Sequence, residues 1–233
     1  METALLILAI ALCTVTGYIL GSLNFAVLVA KSQGFDILKE GSGNPGATNV
    51  KRVVGKRAGN LVFALDVMKG AVGTFLPFFV FWGISSNWGE VSKIPFDLNS
   101  AATLYQLIAG FTGTILGHCF SIFLNFKGGK GVASTIGGLL VILPLPILIG
   151  ALIWVILFFT TRYVSVASIG LSTSLPLTCI ILHLIASSPS DPIKIVFALI
   201  ITLFNLWTHR SNLSRLRQGT ELRFGEGKKK YHS

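Results

Sequence analysis

The sequence predicts an all-α membrane protein, a bundle of apolar helices forming one integral-membrane domain over residues 1–233. Hydrophobic residues make up 52% of the chain and charged residues only 12%, about half the charged share of a soluble domain. Charge-free stretches such as residues 132–161 can cross a hydrocarbon core about 30 Å thick. The composition excludes a disordered chain and argues against a water-soluble globule.

The apolar segments set the number of spans. They cover residues 3–30, 58–82, 98–126, 132–161, 163–190 and 192–208. No basic region precedes the first segment, so we expect an uncleaved helix rather than a removed signal peptide. Pro144 and Pro146 lie in the middle of the fourth segment, where prolines remove backbone donors and favour a turn. One continuous helix there gives six spans, whereas a hairpin of two short helices gives seven, which is the count we predict.

Lysine and arginine positions predict the orientation. With seven spans, 16 of the 19 basic residues fall on one face, and the exceptions are Lys69, Lys93 and Lys194. The positive-inside rule then places the N-terminus outside and the C-terminus in the cytoplasm, with a short basic tail from about residue 210. For Lys228–Lys230, this rule and attraction to anionic lipid are sufficient explanation.

Small residues and cysteines have structural interpretations. The spacings Gly17–Gly21 and Gly113–Gly117 allow helices to approach closely, so we predict packing roles for them. Cys13, Cys119 and Cys179 lie in apolar runs and lack the spacing of metal ligands. We therefore expect no metal and no cofactor.

The first polar segment, Glu40–Arg52, is richer in hydrogen-bonding groups than a connecting turn needs. Its glycines permit positive φ and expose backbone N–H groups that can surround an anion, and Arg52 adds a bidentate fork for phosphate. Its neutral polar residues are Ser42, Asn44, Thr48 and Asn49. Residues 41–46 also spell GxGxxG, but no strand precedes them, which argues against a dinucleotide site. A flexible turn is the alternative.

The second polar segment, Phe126–Gly131, places Gly128 and Gly129 between Lys127 and Lys130 just before an apolar helix. Free N–H groups, the helix dipole and positive charge together favour an anion. The spacing is not that of a Walker A loop. The alternative is a basic turn that obeys the positive-inside rule.

The third polar segment, Trp207–Glu221, contains His209, Asn212 and Arg215 at spacings of three. On a helix these side chains share a face, and a histidine can exchange a proton near neutral pH. The alternative is a solvated helix end with basic charges.

Asp66, Lys69 and His118 are ionisable residues within predicted spans. Asp66 and Lys69 are three apart, and such groups in a membrane usually pair or line a wet cavity. The sequence leaves a structural ion pair and a cavity role open. For His118, a satisfied core histidine is favoured over a catalytic one.

These segments resemble the motifs of the bacterial membrane glycerol-3-phosphate acyltransferases that use acyl phosphate, the PlsY family. The resemblance runs in order along nearly the whole chain. Its motifs are Gly41–Asn49 with Arg52, Gly117-His118 with Phe126–Ala133, and His209-x-x-Asn212-x-x-Arg215 with Glu221; the segment Phe63–Gly70 is also similar. The chain departs from the family pattern at Ser121, Asn125, Thr208 and Ser211.

The resemblance implies acyl transfer from acyl phosphate to the 1-hydroxyl of sn-glycerol 3-phosphate, giving lysophosphatidic acid and phosphate. It implies catalytic roles for Ser42, His209 and Asn212, with either His209 or the donor's phosphate as the base. The implied substrate- and phosphate-binding residues are Asn44, Thr48, Asn49, Arg52, Lys127, Gly128, Gly129, Lys130, Gly131, Arg215 and Glu221.

The implied partners are the two substrates and the lipid bilayer, with no nucleic acid and an open oligomeric state. The implied location is the bacterial cytoplasmic membrane, with the active site on its cytoplasmic face.

Three other functions fit the sequence less well. Acyl-CoA-dependent glycerolipid acyltransferases commonly carry an H-x₄-D motif, and this chain has none. A phosphatidyltransferase would want clustered aspartates, but Asp36, Asp66, Asp97 and Asp191 are scattered. A transporter of a phosphorylated metabolite is the main alternative, although it predicts elaborate polar loops on both faces.

Overall fold

The computed structural model describes residues 2–85, 100–185 and 192–225, and every named element in these ranges is a helix. The chain divides into two compact units, Met1–Ile142 and Leu143–Ser233. The single-domain assignment stays a prediction. Lys93, Asp97, Asp191 and the basic tail Lys228–Lys230 lie outside the described residues.

The described part of the first unit contains six α-helices. They are α1 (Glu2–Ser22), α2 (Phe25–Lys31), α3 (Ala47–Val53), α4 (Lys56–Ser85), α5 (Ala101–Cys119) and α6 (Val132–Ile142), with a 3₁₀ turn at Ile122–Leu124. Helix α4 is central, because it packs against all five others.

The first apolar segment is broken where the sequence predicted one helix. Helix α1 ends at Ser22, and the Asn24 side chain accepts a hydrogen bond from the Val27 N–H (3.0 Å) at the start of α2. An asparagine before an apolar run is a helix-start signal. Residues 3–30 carry no charge, so the apolar run alone did not indicate this break.

Helices α1 and α5 pack through the predicted glycines. A Cβ added to Gly17 would meet the Gly110 carbonyl, and one added to Gly113 would meet the Thr14 carbonyl oxygen. Gly21 and Gly117 likewise face backbone of the opposite helix. The two glycine pairs therefore form one close helix–helix contact, which confirms their predicted packing role.

We expect Gly113→Ala to lower the stability of the protein by about 1–3 kcal/mol, because the added methyl overpacks against the backbone of α1. The measurement is Tm in lipid nanodiscs. Thr112→Ala, one residue away on an exposed part of α5, is the control and should leave Tm near the wild-type value. Equal Tm values for the wild type and Gly113→Ala would contradict the close contact between α1 and α5.

The second unit contains α7 (Pro144–Thr161), α8 (Val164–Ile185), α9 (Pro192–Thr208) and α10 (Arg210–Arg217). Helix α8 packs against both α7 and α9. The Trp154 Nε1–H donates to Ser168 Oγ (3.2 Å), and the Thr202 hydroxyl donates to the Ser172 carbonyl (2.6 Å). These bonds tie α7 and α9 to α8.

The predicted break in the fourth apolar segment is confirmed. Helix α6 ends at Ile142, and α7 begins with Pro144 in its first turn, where proline's missing N–H costs nothing. In the described residues, four helices are long and apolar enough to span a membrane, or five if the bent pair α9 and α10 forms one span. The count of seven and the orientation stay predictions.

Candidate active site

The first polar loop is held by a buried asparagine. Asn49 Oδ1 accepts the Ser42 N–H (2.9 Å), and Asn49 Nδ2 donates to the carbonyls of Ile37 (3.2 Å) and Glu40 (2.9 Å). Gly41 adopts φ +61°, and a Cβ there would meet Asn49 Oδ1. The loop is therefore a defined structure rather than a flexible turn.

The remaining polar groups of this loop lie nearer the surface. Ser42 is exposed, whereas Asn44 is half-buried. Thr48 and Arg52 are half-buried and four residues apart on α3, so they share one helix face. This arrangement presents a hydroxyl and a guanidinium on the same side of a short helix.

The second polar loop follows two residues in the left-handed backbone region. Asn125 and Phe126 adopt positive φ of 51° and 58°. Asparagine tolerates this conformation better than most residues, which fits Asn125, one of the departures from the family pattern. Gly131 (φ +80°) leads into α6, and its carbonyl accepts the Thr135 N–H (2.7 Å). Lys127 is exposed and Lys130 is half-buried, so the loop joins N–H groups and two cations at a helix start.

Ser121, another departure from the family pattern, stabilises the turn that precedes this loop. Its hydroxyl donates to the Ser22 carbonyl (2.6 Å) and accepts the Phe123 N–H (3.2 Å). Its carbonyl accepts the Phe126 N–H (2.9 Å). The serine thus links the end of α1 to the approach of the loop.

The two polar loops meet in space. A Cβ on Gly129 would lie 3.1 Å from the Pro45 carbonyl oxygen and would also meet the His118 ring. Sequence reasoning named Gly129 but assigned no role to Pro45. The contact joins two segments more than 80 residues apart along the chain, and both are rich in groups that bind anions.

Beneath these loops, Asp66 and Lys69 form the structural ion pair that the sequence left open. Lys69 Nζ lies 3.3 Å from Asp66 Oδ1, and both side chains are 3% exposed. The pair contacts His118, which is also buried. A role for these residues in lining a substrate cavity stays a prediction.

In the second unit, Glu221 organises the third polar segment. Its Oε1 accepts hydrogen bonds from Asn212 Nδ2 (2.6 Å) and from the Ser165 hydroxyl (2.9 Å), and its Oε2 accepts one from Arg215 Nε (2.7 Å). Asn212 and Arg215 do share a face of α10, as predicted. Ser165 was not singled out from the sequence, because it lies 56 residues from Glu221.

His209 caps the N-terminal end of α10. It is the residue before α10, at a 57° bend between α9 and α10. Its Nδ1 lies 2.9 Å from the Asn205 carbonyl oxygen. Because a carbonyl can only accept, Nδ1 carries the hydrogen, and in the neutral ring Nε2 is the atom with the lone pair. This tautomer suits a proton acceptor.

Burial raises the pKa of the Glu221 carboxyl, but hydrogen bonds from Asn212, Arg215 and Ser165 outweigh it and hold the pKa below its ordinary value. A lowered folded-state pKa means that this carboxylate stabilises the fold above about pH 4.5. That contribution is lost as the pH falls through the lowered pKa.

We expect Glu221→Gln to lower stability by about 1–3 kcal/mol at pH 7, since the amide carries no charge to pair with Arg215 and keeps only one accepting oxygen for three donors. The Tm difference from the wild type should narrow as the pH falls from 7 through the lowered pKa of the wild-type carboxyl. Glu40→Gln, at a carboxylate that accepts the Asp36 N–H at the protein surface, is the control. A Tm difference independent of pH would contradict the charged network.

Among the described residues, no group of three His, Cys, Asp or Glu side chains could hold a metal ion.

Comparison with known proteins agrees over most of the chain. A family model described as glycerol-3-phosphate acyltransferase matches residues 11–219. A glycerol-3-phosphate acyltransferase of Aquifex aeolicus is 36% identical over 208 residues, covering 89% of this chain and 95% of the relative. One of Levilactobacillus brevis is 37% identical over 221 residues, covering 94% of each.

Two solved structures share the fold. Both are of PlsY, an integral membrane glycerol 3-phosphate acyltransferase, in its glycerol 3-phosphate form and its lysophosphatidic acid form. The first has a TM-score of 0.74 at 34% identity and covers 93% of this chain and 96% of that chain. The second has a TM-score of 0.71 at the same identity and covers 93% and 95%. Matched over nearly its whole length in sequence and in fold, this chain belongs to the glycerol-3-phosphate acyltransferase family and is an integral membrane protein.

Proposed function

We propose that this protein transfers a fatty acyl group from acyl phosphate to the 1-hydroxyl of sn-glycerol 3-phosphate, giving 1-acyl-sn-glycerol 3-phosphate and phosphate. Family membership supports acyl transfer to glycerol 3-phosphate. The contact between Pro45 and Gly129 is the observation that carries the proposal. It brings two glycine-rich loops together, as a reaction with two phosphorylated substrates requires.

The reaction mainly requires that the protein position the two substrates and stabilise the charge on their phosphates and on the acyl carbonyl. Acyl phosphate is a mixed anhydride and already has a good leaving group, so no metal or covalent intermediate is needed. In our proposal Arg52 and Lys130 hold phosphates, and Lys127 assists. The N–H groups of Gly128, Lys130 and Gly131 surround one phosphate, whereas the Gly129 N–H donates to the His118 carbonyl. Ser42, Asn44 and Thr48 orient the acceptor or the acyl carbonyl.

Asn49 and Glu221, which the resemblance implies as substrate-binding residues, are better suited to positioning other groups of the site. The Asn49 side chain bonds three backbone groups of its own loop, so we assign it to shaping that loop. Glu221 is an acceptor with negative charge, which repels phosphate, so we assign it to orienting Asn212 and Arg215. Direct substrate contact by either residue stays a prediction.

For the second unit, we propose that Asn212 and Arg215 bind glycerol phosphate and that His209 Nε2 accepts the proton of its hydroxyl. The tautomer set by the Asn205 carbonyl supports this role for His209. The donor's phosphate is the alternative acceptor. We further propose that the reaction takes place at the cytoplasmic face of the bacterial inner membrane, where the basic loops would lie.

The test is acyl transfer by the purified protein in lipid, with glycerol 3-phosphate and either palmitoyl phosphate or palmitoyl-CoA. We expect lysophosphatidic acid and stoichiometric phosphate with palmitoyl phosphate alone. Product with palmitoyl-CoA alone would overturn the donor but keep the acyltransferase. No product with either donor, from a folded preparation, would contradict the function and revive the transporter alternative.

A further inference from the structure

A cluster of buried polar side chains lies under the second loop, and the proposed reaction does not use it. Counting backbone and side chain together, Asp66, Lys69, His118 and Ser134 are 2%, 6%, 4% and 0% exposed. They come from α4, α5 and α6, which pack on one another in the first unit. Burying this many polar groups in a membrane helix bundle costs free energy, so such clusters usually have a structural or functional role.

Lys69 directs its ammonium at three acceptors. Its Nζ donates to the Leu23 carbonyl (2.7 Å), lies 3.0 Å from His118 Nδ1 and forms the ion pair with Asp66. An ammonium can only donate, so His118 Nδ1 must present its lone pair. The hydrogen of the neutral imidazole therefore lies on Nε2, on the opposite side of the ring from Lys69.

That side of the ring faces the second loop. A Cβ on Gly129 would meet His118 Nε2, so only glycine allows the loop to lie this close to the ring. The Gly129 N–H also donates to the His118 carbonyl (3.1 Å), and a Cβ on Gly128 would meet that same carbonyl. His118 thus contacts the loop through both its backbone and its ring.

We propose that His118, oriented by Lys69, is a positioning residue for the phosphate-binding loop Gly128–Gly131. The inference rests on the proposed function, because it takes this loop to bind a phosphate. Lys69 fixes the ring, and the ring and carbonyl of His118 fix Gly129. The other loop N–H groups, those of Gly128, Lys130 and Gly131, are thereby held toward the phosphate. Asp66 balances the charge of Lys69, since an uncompensated ammonium would be costly to bury.

A double-mutant cycle on His118→Ala and Gly129→Ala tests the proposal. Each change should raise KM for one of the two phosphorylated substrates by about tenfold or more, with a smaller change in kcat. In the double variant the methyl added at position 129 no longer meets a ring. The fold loss in kcat/KM of the double variant should then be about tenfold smaller than the product of the two single-variant losses.

Thr114→Ala is the control, because it removes a buried hydroxyl from the same helix one turn before His118. It should leave KM for both substrates unchanged, since lost stability alone reduces the amount of active enzyme. Should His118→Ala fail to fold, His118→Gln keeps a polar side chain of similar reach and is subject to the same KM prediction.

Two results would overturn the positioning role. One is independent, multiplicative losses in the cycle. The other is a fall in kcat with KM unchanged for both substrates. Either result with an active wild-type protein rejects only this inference, whereas an inactive wild type with both donors rejects the proposed function itself.

Discussion

Arg52→Lys is expected to lower kcat/KM by about 10²-fold or more, even though the substitution keeps the positive charge. Arginine presents a planar fork that binds two phosphate oxygens at once, whereas lysine is a point charge. Arg52 shares one face of α3 with Thr48, next to the loop that Asn49 holds in shape. The measurement is steady-state acyl transfer in lipid, with each substrate varied in turn.

Arg57→Lys is the matched control, because Arg57 is exposed at the start of α4 and has no proposed role. It should retain wild-type activity. Near-normal kcat/KM for Arg52→Lys would remove Arg52 from the site and leave Lys127 and Lys130 as the candidate phosphate cations.

His209→Asn should lower kcat by about 10²-fold and abolish a limb of the pH–rate profile near pH 6–7, if His209 is the general base. The physical reason is the fixed tautomer, in which the Asn205 carbonyl accepts the Nδ1 hydrogen and leaves the Nε2 lone pair for the proton. An asparagine can still form hydrogen bonds but cannot take up a proton at these pH values.

His183→Asn, on α8, controls for the loss of a histidine in the same unit. It should leave both kcat and the pH profile unchanged. A His209→Asn variant that loses only affinity for glycerol 3-phosphate, with its pH profile intact, would assign the proton to the donor's phosphate instead.

The apolar segments were largely predictable because their signal is local. A run without charge long enough to cross a bilayer has few alternatives to a helix, and Pro144 marked a break that the structure confirms. The break before Phe25 was missed, since a helix in a membrane can be interrupted without any charge. That His209 shares a face with Asn212 stays a prediction, because His209 is the N-cap residue of α10 at a bend.

The glycine pairs show what a local sequence pattern can predict about helix packing. Their spacing predicted close packing, and the structure shows that Gly17 and Gly113 lie in the same contact. Spacing alone could not identify the partner helix, because a small-residue pattern specifies how closely two helices approach but not which two.

By itself, the sequence determined that this is a helical membrane protein with three polar loops rich in anion-binding groups, because composition and short motifs are properties of neighbouring residues. Only the tertiary structure decided that Pro45 meets Gly129, that Lys69 reaches His118, and that Glu221 joins Ser165 to Asn212. These contacts join residues far apart in the chain. They depend on which helices pack together and on the hydrogen bonds that buried polar groups must find there.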